Sequence, residues 1–370
     1  MTLDQTDERR ELRHLVSALM DERSREARVR AVMADGSGLD RSLWTSLAEL
    51  GLTGIGIPER LGGSGAGSSE IALVLEGLGS SLAVAPYLAC VALARTAVLA
   101  ADDDRAAAEH LPGIAAGTTI ATVAGAESRV GWQAHRWSTR AEQTASGWRV
   151  YGHKSGVVDA QHAQLVLVYA GTSDGLCLFA VNPDRDGVEV VALPAVDPTR
   201  GQSRILFDGA AATPIGRPDP TLVAFDRFLD IASILLGAEQ VGGMARALEL
   251  AVEHAKVREQ FGRPIGSFQA VQHLCADMLV AVEGARSAVS YALVALESGS
   301  DEVPVCASAV GIACSDAYVD ASAKLIQICG GIGVTWEHPA HLYYKRARTS
   351  AVLLRDVRSH RRRLAGLVGL

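Results

Sequence analysis

The chain has 370 residues, of which 48% are hydrophobic and 21% charged, a composition typical of a globular protein with two or three domains. The formal net charge of −7 opposes binding to DNA or to an anionic lipid surface. No uninterrupted apolar run is long enough to cross a bilayer, the first ten residues are charged rather than apolar, and the six cysteines form no CxxC pair. We therefore expect a cytoplasmic protein with reduced cysteines and with no membrane or nucleic-acid partner.

The periodicity of the hydrophobic residues divides the chain into three parts. Apolar residues between Leu12 and Met20 recur at helical spacing, which predicts an N-terminal helical domain over residues 1–117. Short runs of strand formers such as Leu165–Tyr169, separated by turn residues, predict a middle antiparallel β-domain over residues 118–221. Four long amphipathic stretches then predict a C-terminal four-helix bundle over residues 222–370. The predicted fold class is α+β.

The connection between the first two bundle helices carries side chains suited to a phosphate-bearing cofactor. Arg258 offers a forked donor for phosphate oxygens, Phe261 a flat apolar face, and Gln269 an amide that both donates and accepts. A second segment, Gln327–Gly333, suits the same kind of ligand, because its paired glycines allow a main chain to approach a phosphate or ribose closely. Taken singly, Arg258 also fits a helix C-terminal cap and the glycines a plain turn. The joint spacing favours cofactor contact.

The order of helices, strands and helices, together with the segments Arg258–Gln269 and Gln327–His338, resembles the acyl-CoA dehydrogenase family. The Ile57–Gly63 loop extends the resemblance to the N-terminal part. The resemblance implies an acyl-CoA dehydrogenase-like fold whose three domains enclose FAD, and a desaturation of an acyl-CoA thioester. In that reaction a carboxylate removes the α-proton of the thioester while the β-hydride passes to flavin N5.

The resemblance also implies a set of residues that contact FAD. They are Arg258, Phe261, Gln269, Gln327, Gly330 and Gly331. The arginine would hold the pyrophosphate, the phenylalanine would pack on the cofactor, and Gln269 would contact its adenosine end. The last three residues would reach the same cofactor from another subunit.

The catalytic carboxylate of the family is missing from both positions where the resemblance places it. Counting forward from the paired glycines puts the base of many members at Leu354, and counting back along the first bundle helix puts the base of a smaller group at Ala232. Neither side chain accepts a proton. Asp230 lies where the family carries a non-catalytic aspartate, and Glu239 and Asp356 need a backbone shift to serve. The catalytic residue therefore stays unknown.

The β-domain departs from the family in two flavin-facing segments. Members carry a Thr-Glu-Pro segment followed by Gly-Ser, whereas Ala124–Val130 has no proline and no matching Gly-Ser. A later Trp-Ile-Thr-Asn segment is replaced by Gly156–Asp159. Here Val158 would leave a flavin carbonyl or N5 without its partner, a loss of about 1–3 kcal/mol if the group is buried.

We therefore expect the non-basic subunit of a heterotetrameric enzyme of fatty acid or sterol catabolism, in which a related chain supplies the base and the flavin pocket. The expected partners are an acyl-CoA substrate, the related subunit, and an electron-transfer flavoprotein or similar acceptor. One alternative is a self-sufficient homo-oligomeric dehydrogenase with a relocated base. A second is a non-catalytic assembly or DNA-associated relative, which the arginine-rich C-terminal helix favours, and a third is a flavin-free enzyme that uses His153, Lys154 and Asp159.

A short histidine pair raises the question of a metal site. His338 and His341 lie three residues apart, but Pro339 between them interrupts a helical ligand face. The sequence offers no evident third ligand. We predict no bound metal.

Overall fold

A computed structural model describes residues 6–128 and 131–370. The chain that precedes the sheet is helical, and three of its helices begin at a side chain that caps the first turn. Thr6, Asp40 and Asp103 each accept a hydrogen bond from a backbone N–H of the helix that follows. The helices are α1 (Asp7–Arg23), α2 (Glu26–Asp35), α3 (Arg41–Glu49), α4 (Ser68–Ser80), α5 (Arg95–Ala100) and α6 (Asp104–Ala115).

Seven strands follow in the part of the chain that the structure describes, and they form one sheet. They are β1 (Ala121–Ala124), β2 (Arg140–Thr144), β3 (Gly147–Val158), β4 (Leu165–Thr172), β5 (Gly175–Val181), β6 (Val188–Ala192) and β7 (Gln202–Asp219). The strand order is β1-β4-β2-β3-β7-β5, and an additional β4–β5 pairing closes five of these strands into a ring, while β6 pairs with β7. Buried side chains such as Val166, Phe179 and Ile205 fill the core of the sheet. The structure confirms the β-domain between two helical parts.

Two pairings differ from the expected antiparallel arrangement. β1 runs parallel to β4, with Ala121 opposite Leu165, and β2 meets β4 in parallel at a single position. The β2–β3 hairpin lies between β1 and β4 in the chain, so the connection is long enough for a parallel crossover. Local strand patterns do not encode this direction.

The C-terminal part contains the four predicted long helices and a short fifth one. They are α7 (Val223–Val257), α8 (Gln269–Glu297), α9 (Val303–Cys329), α10 (Ala340–Leu353) and α11 (Val357–Leu367), with the two-stranded hairpin β8 (Glu259–Gln260) and β9 (Arg263–Pro264) between α7 and α8. α9 packs against α8, α10 and α11. The helical bundle predicted from the amphipathic stretches is therefore confirmed.

The described residues form two compact units. One contains the described residues up to Ala31, together with Ser68–Ala83 and Ser233–Leu370, and the other contains Val32–Gly67 and Val84–Ala232. Inside the first unit α4 and α7 pack closely. A Cβ on Gly242 of α7 would overlap the backbone oxygen of Glu76 in α4. Glycine is needed at this crossing.

Among the described residues, three helices are long and apolar enough, by length and composition, to cross a membrane. They cover Val223–Val257, Gln269–Glu297 and Val303–Val334. A search for uninterrupted apolar runs misses them, because scattered polar residues interrupt each one. In the most buried of the three, 89% of the apolar window lies inside the protein, as expected for a packed bundle helix.

Candidate functional site

The hairpin between α7 and α8 projects an aromatic ring into solvent. Phe261 and Gly262 form its two-residue turn, and both have positive φ angles, 53° and 74°. This left-handed conformation is unfavourable for a bulky side chain, whereas glycine adopts it readily. The Phe261 side chain is nevertheless 93% exposed, with only an edge-on contact to Phe268 at 6.1 Å between ring centroids. Nothing within the described chain compensates for the strain at this position.

Arg258 and Gln269 lie at the two ends of the connection that carries this hairpin. The backbone N–H of Arg258 donates to His254 O at 2.9 Å, and its carbonyl accepts from Ile265 N at 2.8 Å. Gln269 is the first residue of α8. Both side chains are exposed, so the backbone around them is fixed while their polar groups are available to a ligand.

The second segment predicted to contact the cofactor exposes Gln327, Gly330 and Gly331, whereas Cys329 and Gly333 are buried. Gln327 lies in the last turn of α9, and the N–H of Gly330 closes that turn by donating to the carbonyl of Gln327. Gly330 has a φ of 64°, and a Cβ on either Gly330 or Gly331 would meet no atom of the described residues within 4 Å. The backbone here is therefore open to close approach by a ligand or another chain.

A cluster of three side chains brings the two cofactor segments together. His254 lies one helical turn before Arg258, and Cys329 directly precedes Gly330. Their ligand atoms lie within 4.8 Å of each other and of a ring nitrogen of His338. Burial lowers the pKa of both imidazoles and raises the pKa of the Cys329 thiol to about 11. Sequence reasoning missed this cluster, because its members are separated by a whole helical hairpin.

The two positions where the resemblance places a catalytic base are buried and apolar. Leu354 follows the last residue of α10 and is 5% exposed, and Ala232 in α7 is fully buried. Neither position offers an oxygen or nitrogen in its side chain. Each position is therefore chemically unable to remove a proton.

The three acidic residues considered in place of the missing base either have structural roles or are deeply buried. Glu239 forms a buried ion pair with Arg346, with Oε1 and Nη1 2.8 Å apart. Asp356 caps α11 by accepting from the Ser359 N–H at 2.7 Å, and hydrogen bonds from this serine lower the pKa of the aspartate. Asp230 is buried in the unit that contains the sheet.

Inside the β-domain, Glu127 organises the segment that differs from the family pattern. Its carboxylate accepts from the Ser138 and Thr139 N–H groups and from Thr139 Oγ1 at 2.7 Å, and it lies 3.5 Å from the ammonium of Lys154. Burial opposes these contacts, yet together they lower the pKa of Glu127 to about 2. Arg129 and Val130 of this segment lie outside the described residues.

Lys154 is fully buried and engaged on several sides. Besides Glu127, its ammonium contacts the Gly125 carbonyl at 2.9 Å and lies 3.7 Å from the centroid of the Trp137 ring. Burial lowers the pKa of Lys154 to about 7, against the attraction of Glu127. This lysine therefore holds the loop together, which leaves little support for free acid–base chemistry with His153 and Asp159.

Aromatic side chains occupy the region next to that loop. Trp132 lies 6.3 Å from Phe225 and 5.9 Å from Phe228 between ring centroids, and Tyr169 packs edge-on against Phe225 at 4.9 Å. A Cβ on Gly125 would overlap the Trp132 ring, so the indole lies directly against the backbone of the loop. The indole of Trp132 is therefore packed between this loop and the aromatic side chains of α7.

Comparison with known proteins identifies the class to which this architecture belongs. Residues 6–118 match "Acyl-CoA dehydrogenase, N-terminal domain" and residues 223–353 match "Acyl-CoA dehydrogenase, C-terminal domain". The acyl-CoA dehydrogenase IpdE2 of Mycobacterium tuberculosis is 37% identical over 361 residues, which cover 97% of this chain and 96% of that protein. The chain belongs to the acyl-CoA dehydrogenase family, whose members are FAD-dependent oxidoreductases.

Two solved structures with similar folds are themselves complexes of two different chains by name. A variant of the Tcur3481-Tcur3483 steroid ACAD has a TM-score of 0.89 at 30% identity, with 98% of each chain covered. The ChsE4-ChsE5 complex from Mycobacterium tuberculosis has a TM-score of 0.91 at 28% identity, and the match covers 100% of this chain and 100% of the chain compared. These similarities confirm the predicted fold, and the family confirms FAD as the cofactor.

Proposed function

We propose that this chain is the non-basic subunit of a heterotetrameric acyl-CoA dehydrogenase and completes a FAD site whose base and flavin pocket belong to a related chain. The observation that carries the proposal is a contrast within one molecule. The residues implied to contact FAD are exposed, whereas both positions for the base, Leu354 and Ala232, are buried and apolar. Such a chain has a cofactor-binding surface but lacks its own proton acceptor at those positions.

The fit of FAD to this chain differs between its two ends. A guanidinium at Arg258, an amide at Gln269 and the open backbone at Gly330 suit the pyrophosphate and adenosine half of the cofactor. The β-domain suits the isoalloxazine half poorly, because Trp132 packs against the loop and Val158 offers no side-chain hydrogen bond. This asymmetry supports a cofactor whose flavin end lies in a different subunit.

Each residue of the exposed surface has a defined task in the shared site. Arg258 neutralises and orients the pyrophosphate, Gln269 and Gln327 position the adenosine end, and the Phe261 ring excludes water from the cofactor. FAD supplies the hydride acceptor when it is bound. The partner's carboxylate removes the α-proton, so this chain contributes binding and orientation rather than proton transfer.

The relatives support a proposal for the substrate and the partners. Two structural neighbours are complexes of paired chains, and one of them is a steroid ACAD by name. We infer that the substrate is an acyl-CoA with a steroid-derived acyl group, and that the partner is a related chain carrying the missing glutamate. An electron-transfer flavoprotein or a similar acceptor would reoxidise the flavin.

The first test is the visible absorption spectrum of the chain purified alone and of the chain co-expressed with the related subunit. The proposal expects a colourless chain and a yellow complex that contains about one FAD for every two chains and is bleached anaerobically by the acyl-CoA. Arg258→Ala should lower FAD retention in the complex, whereas Arg263→Ala, in the same hairpin, serves as the matched control. A yellow chain that is bleached on its own would contradict the proposal.

The second candidate is a self-sufficient dehydrogenase with a relocated base. Glu239 favours it, because this buried carboxylate lies on α7, the helix from which a smaller group of relatives takes its base. Its ion pair with Arg346 argues for a structural role instead. Replacement of Glu239 by glutamine separates the two, because only a base would control the rate of flavin reduction.

A further inference from the structure

Three side chains from separate parts of the bundle meet at the ends of its helices. His254 is in the last turn of α7, Cys329 is the last residue of α9, and His338 lies in the segment before α10. One sulfur and two imidazole nitrogens lie within 4.8 Å of one another. Cys329 is buried and both histidines are partly exposed, so the cluster is connected to solvent.

The spacing of these atoms is close to that of a tetrahedral metal centre. Zinc lies about 2.3 Å from a thiolate sulfur and about 2.0–2.1 Å from an imidazole nitrogen, so tetrahedral ligand atoms are about 3.4–3.6 Å apart. Cys329 Sγ and His338 Nε2 are 3.6 Å apart and meet this distance without movement. The ring of His254 is 6.1 Å from that of His338 between centroids and nearly perpendicular to it. A contraction of at most about 1.4 Å, from 4.8 Å to about 3.4 Å, would complete three zinc ligands.

We propose that His254, Cys329 and His338 bind one zinc ion, with solvent as the fourth ligand. A soft thiolate combined with two imidazoles selects zinc over the hard cations magnesium and calcium. The site concerns this chain alone and stands whether or not the chain shares a flavin with a partner.

The histidine pair weighed in the sequence does not form the site. The structure places His254 and Cys329, from two distant helices, next to His338. The His341 ring instead packs edge-on against Trp336, at 4.8 Å between ring centroids. Pro339 therefore no longer argues against a metal, because the ligands need not share one helical face.

Zinc binding changes the hydrogen bonds of the cluster in a defined way. His338 Nδ1 accepts from the Ala340 N–H at 3.1 Å, so the neutral ring carries its proton on Nε2, next to the sulfur. On binding, this proton moves to Nδ1 and the Nε2 lone pair bonds zinc, while the thiol proton is released to solvent. The Ala340 N–H belongs to the first turn of α10, where water can replace its acceptor.

The position of the ion gives it a structural consequence. It would fasten the end of α7 to the end of α9, directly beside Arg258 and Gly330. These residues belong to the two exposed cofactor segments. Zinc would therefore order the backbone of both segments before any ligand binds.

Cobalt(II) is the probe, because its thiolate complexes absorb in the visible and near ultraviolet. The full chain, free of affinity tags, reduced and treated with a chelator, is titrated with Co²⁺. We expect a saturable sulfur-to-cobalt band at one equivalent, displaced by one equivalent of Zn²⁺. Cys329→Ser should abolish the band and weaken Zn²⁺ binding by more than about tenfold, the loss that even an outer-shell change produces. Cys275→Ser and His273→Gln, both on α8, should bind as the parent chain does.

A second measurement on the unmodified chain covers the case in which Cys329→Ser does not fold. Alkylation of each cysteine is followed by mass spectrometry with and without one equivalent of Zn²⁺. Selective protection of Cys329, with Cys275 reacting equally in both samples, supports the site. Absence of a saturable cobalt band, or equal alkylation of Cys329 with and without zinc, overturns it.

Discussion

Phe261 has a left-handed backbone conformation at the tip of an exposed hairpin. Two substitutions distinguish the free-energy cost of that conformation from the contribution of the ring to cofactor binding. Such a conformation costs a residue with a Cβ about 1–2 kcal/mol, but asparagine tolerates it better than most. Because the ring is 93% exposed, its removal loses little packing within the chain, about 0.5 kcal/mol for the edge contact with Phe268. Phe261→Asn should therefore be about 0.5–1 kcal/mol more stable than Phe261→Ala, although both remove the ring.

Urea denaturation of the isolated chain measures this difference in stability. FAD retention in the purified complex measures the contribution of the ring to cofactor binding. If the complex fully buries the ring, both variants lose about 1.5–3 kcal/mol of binding free energy, which raises the dissociation constant of FAD roughly ten- to a hundredfold. Equal stability of the Asn and Ala variants would refute the strain argument. Retention of FAD within twofold of the parent would show that the Phe261 ring does not contact the cofactor.

Three further changes test buried contacts. Glu239→Gln breaks the ion pair with Arg346 and should lower the free energy of unfolding by about 3 kcal/mol, with less than a twofold change in the rate of flavin reduction measured by stopped flow. The pKa of Lys154 is 10.5 in the unfolded chain and about 7 in the folded chain, so between these values the unfolded chain binds one more proton. The free energy of unfolding should therefore rise from pH 7 to 10. Thermal melts of Lys154→Met over the same pH range should lack that rise. Gly125→Ala should displace Trp132 and cost about 2 kcal/mol, visible as a lower urea midpoint and altered tryptophan fluorescence.

Much of the fold follows from local signals in the sequence. The helix α8 begins at Gln269, two residues after Ser267, and α10 begins at Ala340, directly after Pro339. Proline and glycine fix these boundaries through the backbone of a few adjacent residues. The parallel pairing of β1 with β4 depends instead on where a distant segment returns, which no local pattern records.

Some residues of the candidate site can likewise be predicted from the sequence, whereas others meet only in the folded chain. Arg258 and Gln269 are predicted from residue type and spacing, because each would act through its own side chain. The proposed zinc site depends on helix ends that meet only in the folded chain, so His254 and Cys329 have no common signal in the sequence. The packing of Trp132 on Phe225 likewise joins a loop to a helix far along the chain.

The distribution of strain and burial gives a physical reason to look for a partner. An exposed aromatic residue in a left-handed conformation lowers the stability of the isolated chain, and the described contacts of Phe261 return little of that loss. At Leu354 and Ala232 the chain has instead the apolar residues that a buried position favours. Stability within the chain therefore accounts for the residues at the base positions and leaves the exposed ring unexplained. A contact outside the chain would explain that ring, and the shared cofactor proposed above is one that its neighbours Arg258 and Gln269 are chemically equipped to bind.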